Sequence, residues 1–290
     1  MDEPVLLFGL GAPKSGTSWL YGYLAAHPDC HLRSIKELHF FDSIDLDNVD
    51  WQLKDFGRMI ETLERRLEEG VVDDELAKAL QLADLRIYVK VLKKADLDGY
   101  LGFLSDGVEK ERVVGDLTPS YCLLSADRLA QMARLSGKVR FVYLMRDPVD
   151  RLWSHVRMIA ARRSKTGADI AERATWIFDR TLAGGEDHIL ARGDYRVALE
   201  KLQAAVAPDQ VFVCAYEDLF TSGTVDRLCD FLGIEPLPGD FDRPVNAGVP
   251  VKMSRDQRRR ASDFLRPQYD FVAARMGQLP AAWEANRAGM

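Results

Sequence analysis

Val5-Leu-Leu-Phe-Gly-Leu-Gly11-Ala-Pro-Lys14-Ser-Gly16-Thr-Ser-Trp-Leu-Tyr-Gly-Tyr-Leu-Ala-Ala26 sets an apolar run, a glycine loop and a helical pattern in direct succession. Val5 to Leu10 is an apolar run between Pro4 and Gly11, the length of a buried strand. Gly11-Ala-Pro-Lys-Ser-Gly16 reads as a turn. Thr17 to Ala26 then has helical spacing, with Trp19, Leu20, Tyr23 and Leu24 sharing a face, until His27-Pro28-Asp29 stops it. A glycine loop between a strand and a helix gathers backbone N–H groups, and the positive end of the helix dipole, around one anionic group.

Val139-Arg-Phe-Val-Tyr-Leu-Met145 is a second apolar strand, closed by Arg146. Asp147 caps the following helix, and Pro148 takes its first position, where a missing N–H costs nothing. Gln210–Ala215 and the shorter Arg112–Gly115 are further strand candidates. Strands this apolar, separated by helical stretches, predict an α/β fold: a central parallel sheet flanked by helices, with a P-loop-like nucleotide-binding core. Residues 51–105 are charged and helical in pattern and read as an insertion between the first strand–helix unit and the next strand. Helical patterns at 195–206, 224–232 and 254–276 fill the last third. Without repeats, low-complexity tracts or a linker, residues 1–290 read as one domain.

Composition narrows the function. Hydrophobic residues make up 47% of the 290 and charged residues 29%, enough for a sizeable core. A net charge of −6 argues against a protein that coats nucleic acid but leaves room for a local basic pocket. No apolar run approaches the ~20 residues of a membrane span, and two acids near the start do not fit a signal peptide. Cys30, Cys122, Cys214 and Cys229 are widely spaced and read as reduced, mostly buried residues of a cytoplasmic protein.

The two glycines of the first loop have the spacing of a nucleotide P-loop, but that motif places lysine directly after the second glycine, where this chain has Thr17. The loop lysine, Lys14, lies two residues before Gly16. In P-loop kinases and ATPases a second strand often supplies an Asp for Mg²⁺. Here that strand ends in Arg146, a donor suited to a second phosphate, and Ser154 lies about two helical turns further on, where its hydroxyl can join.

These segments resemble the sulfotransferases that use 3′-phosphoadenosine 5′-phosphosulfate (PAPS). Residues 13–24, PKSGTSWLYGYL, look like the family's 5′-phosphosulfate loop, and 139–155, VRFVYLMRDPVDRLWSH, like its 3′-phosphate motif. KELHFFD at 36–42 is similar to the segment after the first helix in heparan-sulfate-type and other carbohydrate sulfotransferases. VGDLTPSY at 114–121, RGDYRVALEKL at 192–202 and RPVNAGVPVKMS at 243–254 look like later family segments, while 51–105 is not covered. The resemblance implies that Lys14, Ser15, Gly16, Thr17 and Ser18 hold the 5′-phosphosulfate and that Arg146 and Ser154 hold the 3′-phosphate. It also implies that Asn246 and Lys252 belong to a loop closing over the nucleotide. One departure is Asp116-Leu117-Thr118-Pro119, where heparan-type enzymes carry Glu-Lys-Thr/Ser-Pro. The lost lysine argues against a simple heparan-like acceptor.

The implied reaction moves a sulfuryl group from PAPS to an acceptor hydroxyl of a sugar, lipid or small metabolite, leaving 3′,5′-adenosine bisphosphate. It needs a base for the hydroxyl and positive charge on the leaving side. Lys14 and the loop amides supply the charge, so the logic requires no metal. The resemblance makes Glu37 the base, with His39 the rival because its ordinary pKa suits neutral pH. Phe40 and Phe41 read as core residues. His27, His31, His155 and His188 read as surface or packing residues, and 255–260, RDQRRR, as a solvated helix face. Two alternatives stay open: a P-loop kinase or NTPase-like phosphotransferase, and an inactive member that binds nucleotide or partners only. The acceptor and the oligomeric state are not legible.

Overall fold

The computed structural model describes residues 3–239 and 248–288. Five strands form one parallel sheet: β1 (Val5–Gly11), β2 (Cys30–Leu32), β3 (Val113–Leu117), β4 (Val139–Met145) and β5 (Val211–Ala215). Their order is β2-β3-β1-β4-β5, so β1 is central, with β3 on one side and β4 on the other. In such open parallel sheets the crevice at the carboxyl ends of the strands, where the chain switches direction, is the natural ligand site. The ends of β1, β3 and β4 are Gly11, Leu117 and Met145, and each leads into a motif singled out above.

The inner strands β1, β3 and β4 are buried on both faces, the edge strands β2 and β5 only in part, and side chains divide alternately between two cores. Leu6, Phe8 and Leu10 of β1, with Phe141, Tyr143 and Met145 of β4, enter the larger core. Leu7, Val142 and Leu144 enter the smaller one. The smaller core is closed by α1 (Thr17–Ala25), through Trp19, Leu20 and Leu24. On the larger face lie α2 (Phe40–Asp45), α3 (Val49–Glu68), α4 (Glu75–Lys94), α5 (Leu97–Ser105) and α6 (Ala126–Met132). It also takes α7 (Pro148–Arg163), α8 (Ile170–Leu182), the short α9 (Asp187–Ala191) and α10 (Tyr195–Ala205). Beyond β5 come α11 (Tyr216–Leu219) and α12 (Ser222–Leu232), and α12 joins α1 over the smaller core through Val225, Leu228 and Leu232. Helices α13 (Arg255–Met276) and α14 (Ala281–Arg287) return to the larger core.

The predicted sheet and flanking helices are present, and 51–105 is helical, as α3, α4 and α5. Three details go beyond the sequence reading or shift its bounds. Strand β2 is three residues long, too short to give an alternating signal. The strand expected at Arg112–Gly115 runs on through Asp116, because hydroxyl groups satisfy that carboxylate inside the sheet. Leu117, at the family's lysine position, packs into the smaller core against β1, where a Cβ added to Gly9 would come within 2.7 Å of its Cγ. All four cysteines are free and buried, and no helix among the described residues is long and apolar enough to cross a membrane.

Candidate active site

The loop after β1 turns on two residues with positive φ, Lys14 at 74° and Gly16 at 90°. Gly16 precedes α1 in the left-handed region, and a Cβ there would come within 2.9 Å of the Tyr216 ring and 3.0 Å of Leu219. Only glycine meets both demands without strain. No side chain caps the N-terminus of α1 and no acid lies in its first turn, so the positive end of its dipole is not offset locally. Ser15 and Thr17 are buried in the loop, while Lys14, Gly16 and Ser18 are half-buried.

The turn from β4 to α7 meets this loop. Asp147 caps α7, its carboxylate accepting from the Asp150 N–H at 2.9 Å and from the Tyr269 hydroxyl at 2.8 Å, with Pro148 at the first helical position. Burial raises its pKa to about 6. The neighbouring Arg146 reaches across, its Nη1 donating to the Lys14 carbonyl at 3.4 Å. Its guanidinium lies 4.7 Å from the centre of the Tyr216 ring. The β1 loop and the β4–α7 turn are thus in direct contact, although 132 residues separate Lys14 from Arg146.

Lys14 stands among like charges. Burial lowers its pKa first, the positive charges of Arg162, Arg146 and Arg157 lower it further, and Glu37 opposes them. Its Nζ lies 3.8 Å from the Met158 sulfur on α7. Sequence reasoning missed Arg157 and Arg162, although their spacing from Ser154 at a helical repeat is a legible signal. Ser154 is half-buried on α7, two turns beyond Arg146. Cations crowded around Lys14 make surroundings suited to a polyanion.

A family model described as "Sulfotransferase family" matches residues 4–238. The chain belongs to the sulfotransferase family. A solved structure titled as a sulfotransferase from Alicyclobacillus acidocaldarius is 20% identical and aligns with a TM-score of 0.62 over 98% of this chain and 100% of that one. That likeness shows the shared fold. A sulfotransferase domain from the curacin biosynthetic pathway aligns at 20% identity with a TM-score of 0.48, covering 86% of this chain and 81% of that one. A sulfotransferase domain from the Synechococcus PCC 7002 olefin synthase gives 17%, 0.43, 91% and 94% in the same terms. No curated protein matches the sequence.

On the β3 side of this sulfotransferase lie Glu37 and His39, both with positive φ, at 66° and 55°. Lys36 pairs with the Glu37 carboxylate, whose side chain keeps 39% exposure, and the His39 Nε2 lies 3.7 Å from its other oxygen. Burial alone would raise the Glu37 pKa, but His39 and Lys36 outweigh it and hold the carboxyl down at about 2. Burial would likewise lower His39, yet its 2.8 Å contact with Asp42 and the Glu37 carboxylate raise it to about 9. His39 is therefore charged at neutral pH, contrary to the expectation that its ordinary pKa suits it as a base. Sequence reasoning missed Asp42 as its partner.

Of the remaining candidates, Asn246 lies outside the described residues. Lys252 is exposed, next to Val251, whose carbonyl accepts from the Trp153 indole at 2.9 Å. Arg157 Nη1 donates to the Val249 carbonyl at 2.9 Å, so this segment lies along α7. Phe40 and Phe41 are buried, as expected. His155 is buried beside Arg151, with burial and the Arg151 charge holding its pKa well below the usual range. Residues 255–260 form the first turns of α13, where Arg259 and Arg260 pair with Asp256 and Asp179.

Proposed function

We propose that this sulfotransferase moves the sulfuryl group of PAPS to a hydroxyl of a sugar, lipid or small-metabolite acceptor, in one domain spanning residues 1–290. The observation that carries this reading is the contact between Arg146 and Lys14, which joins two phosphate-type motifs within a cluster of cations. The residues fit the donor. The uncapped α1 N-terminus with Lys14, Ser15, Gly16, Thr17 and Ser18 suits the 5′-phosphosulfate, and Arg146 with Ser154 suits the 3′-phosphate. Lys252, along α7, and Asn246 complete the nucleotide loop in this reading. The four free, buried cysteines agree with a cytoplasmic setting.

Glu37 takes the proton of the acceptor hydroxyl while that oxygen forms its bond to sulfur. Lys14 and the loop N–H groups stabilise the charge that grows on the departing phosphate oxygen as its bond to sulfur breaks. The products are the sulfate ester and 3′,5′-adenosine bisphosphate, and this division of labour needs no metal. A protonated imidazole has no lone pair for a second proton, which favours Glu37 over His39. Lys36 and His39 keep Glu37 a weak base at rest. An acceptor that displaces the Lys36 contact raises its basicity.

The test is a screen of acceptor pools with labelled PAPS, read by mass spectrometry of the sulfated product, with a nucleotide thermal-shift panel alongside. Stabilisation by 3′,5′-adenosine bisphosphate without Mg²⁺ is the expected result. Stabilisation by ATP that depends on Mg²⁺ would replace this reading with a P-loop phosphotransferase.

A further inference from the structure

Behind Glu37, three consecutive residues have a backbone group held by a buried hydroxyl. The Tyr88 hydroxyl donates to the Leu38 carbonyl at 2.8 Å. The His39 N–H donates to Thr118 Oγ1 at 3.3 Å, and the Phe40 N–H to the Tyr121 hydroxyl at 3.1 Å. Thr118 and Tyr121 donate onward to the Asp116 carboxylate at 2.7 and 2.6 Å, and Tyr100 donates to it at 2.7 Å. Asp116 is 2% exposed, and these hydroxyls are its side-chain hydrogen-bond partners among the described residues.

The direction of these bonds matters. Burial raises the Asp116 pKa, and the hydrogen bonds from Tyr121, Tyr100 and Thr118 oppose it by favouring the ionised form. An ionised carboxylate only accepts, so Thr118 and Tyr121 donate to it and turn their lone pairs toward the His39 and Phe40 amides. The carboxylate thereby fixes the polarity of a relay ending on the backbone that carries the candidate base. That backbone needs holding, because Glu37 and His39 both occupy the left-handed region, which non-glycine residues keep only where their surroundings enforce it. Tyr88 comes from α4 and Tyr100 from α5, and the Tyr100 ring stacks on Phe40 with centroids 4.2 Å apart.

We propose that α4 and α5, acting with Asp116, form a rear mount that positions the Glu37–His39 backbone for proton transfer, making Asp116, Tyr88, Tyr100, Thr118 and Tyr121 positioning residues. The proposal rests on the reading of Glu37 as base. It gives α4 and α5 of the 51–105 segment a role in the chemistry itself.

The experiment is a histidine proton-NMR titration of the full chain, with the His39 signal assigned by its loss in His39→Gln. The groups facing His39 are the Glu37 and Asp42 carboxylates and, further off on β3, Asp116. Thr118→Val and Tyr121→Phe each remove one hydroxyl and keep the side chain's bulk. The expected result is a His39 midpoint that falls from about 9 toward the ordinary 6.5, because Glu37 and Asp42 are no longer held against the ring. Affinity for 3′,5′-adenosine bisphosphate should stay unchanged, and Thr118→Ser should restore the wild-type midpoint. A purely structural role would lower the melting temperature and leave the midpoint in place, and that outcome overturns the proposal. Should either variant fail to fold, Tyr88→Phe, which reaches the same segment from α4 alone, gives the same two readings. Failure of Glu37 as base shows instead as transfer retained in Glu37→Gln, so the two failures are separable.

Discussion

The Tyr195 hydroxyl closes on both sides of a single residue, accepting from the Arg146 N–H at 3.1 Å and donating to the Arg146 carbonyl at 2.6 Å. Tyr195 opens α10, and its phenol is buried, which raises its pKa to about 12 and keeps the donating proton in place at any working pH. The guanidinium of Arg146 therefore extends from a fixed main chain toward the Lys14 loop, with the Tyr216 ring against it. This hydroxyl was not among the residues singled out in the sequence.

Arg146→Ala and Ser154→Ala are expected to weaken binding of 3′,5′-adenosine bisphosphate, the arginine change by roughly tenfold or more. Hydrogen bonds to charged groups are worth about 1.5–3 kcal/mol, and a grip on a phosphate that does not react shows in binding more than in turnover. Tyr195→Phe should produce a smaller loss in the same direction by freeing the Arg146 backbone. Calorimetry with the bisphosphate checks all three. Wild-type affinity in both Arg146→Ala and Ser154→Ala removes the 3′-phosphate assignment.

Lys14→Ala is expected to cut turnover at saturating donor by about 10²–10³-fold, the usual cost of losing one donor to charge that develops in the transition state. The measurement is the initial rate of label transfer in a variant whose melting temperature matches wild type. An unchanged rate would take Lys14 out of the reaction.

Glu37→Gln should keep the fold and the donor affinity while losing about 10²–10⁴-fold in transfer, since the amide cannot take a proton. His39→Ala should lose less, because a charged imidazole acts on Glu37 and not on the acceptor. A near-normal Glu37→Gln beside an inactive His39→Ala would assign the base to the histidine.

His39 also gives the fold a pH dependence. Its folded pKa of about 9 lies above the ordinary 6.5 of an unfolded chain, so the folded state binds its proton more tightly. The stabilisation is full below about pH 6.5 and is lost as pH rises through about 9. The melting-temperature gap between wild type and His39→Gln should therefore narrow from pH 6.5 to pH 9.5. A constant gap would mean that the imidazole is not held in its charged form.

What the sequence disclosed and what it hid divide along contact range. The strand, loop and helix at 5–26 are local, and spacing alone marks them; the same holds for Arg146-Asp147-Pro148 at the head of α7. Strand β2 has three residues and exists because β3 pairs with it, Cys30 opposite Val113. The mount behind Glu37 joins residues 50 to 81 positions apart, so no periodicity announces it. Leu117 shows the reverse: a departure from the family pattern legible in the sequence, whose meaning came only when its side chain was found in the smaller core. The charge of His39 was invisible for a related reason. A reference pKa describes an isolated ring, and this ring sits between two carboxylates.

The placing of β1 between β3 and β4 has a practical consequence. The described residues proposed to grip the nucleotide hang from the β1 loop and the β4 side, whereas those proposed to handle the proton hang from the β3 side. Apart from Lys14, which serves both, the two sets can be altered and assayed apart, one by nucleotide affinity and the other by transfer at saturating donor. Variants altered on the β3 side could thus be screened with the bisphosphate serving as a folding probe throughout. Those that retain nucleotide but lose transfer would report on proton handling, separately from the grip on the donor.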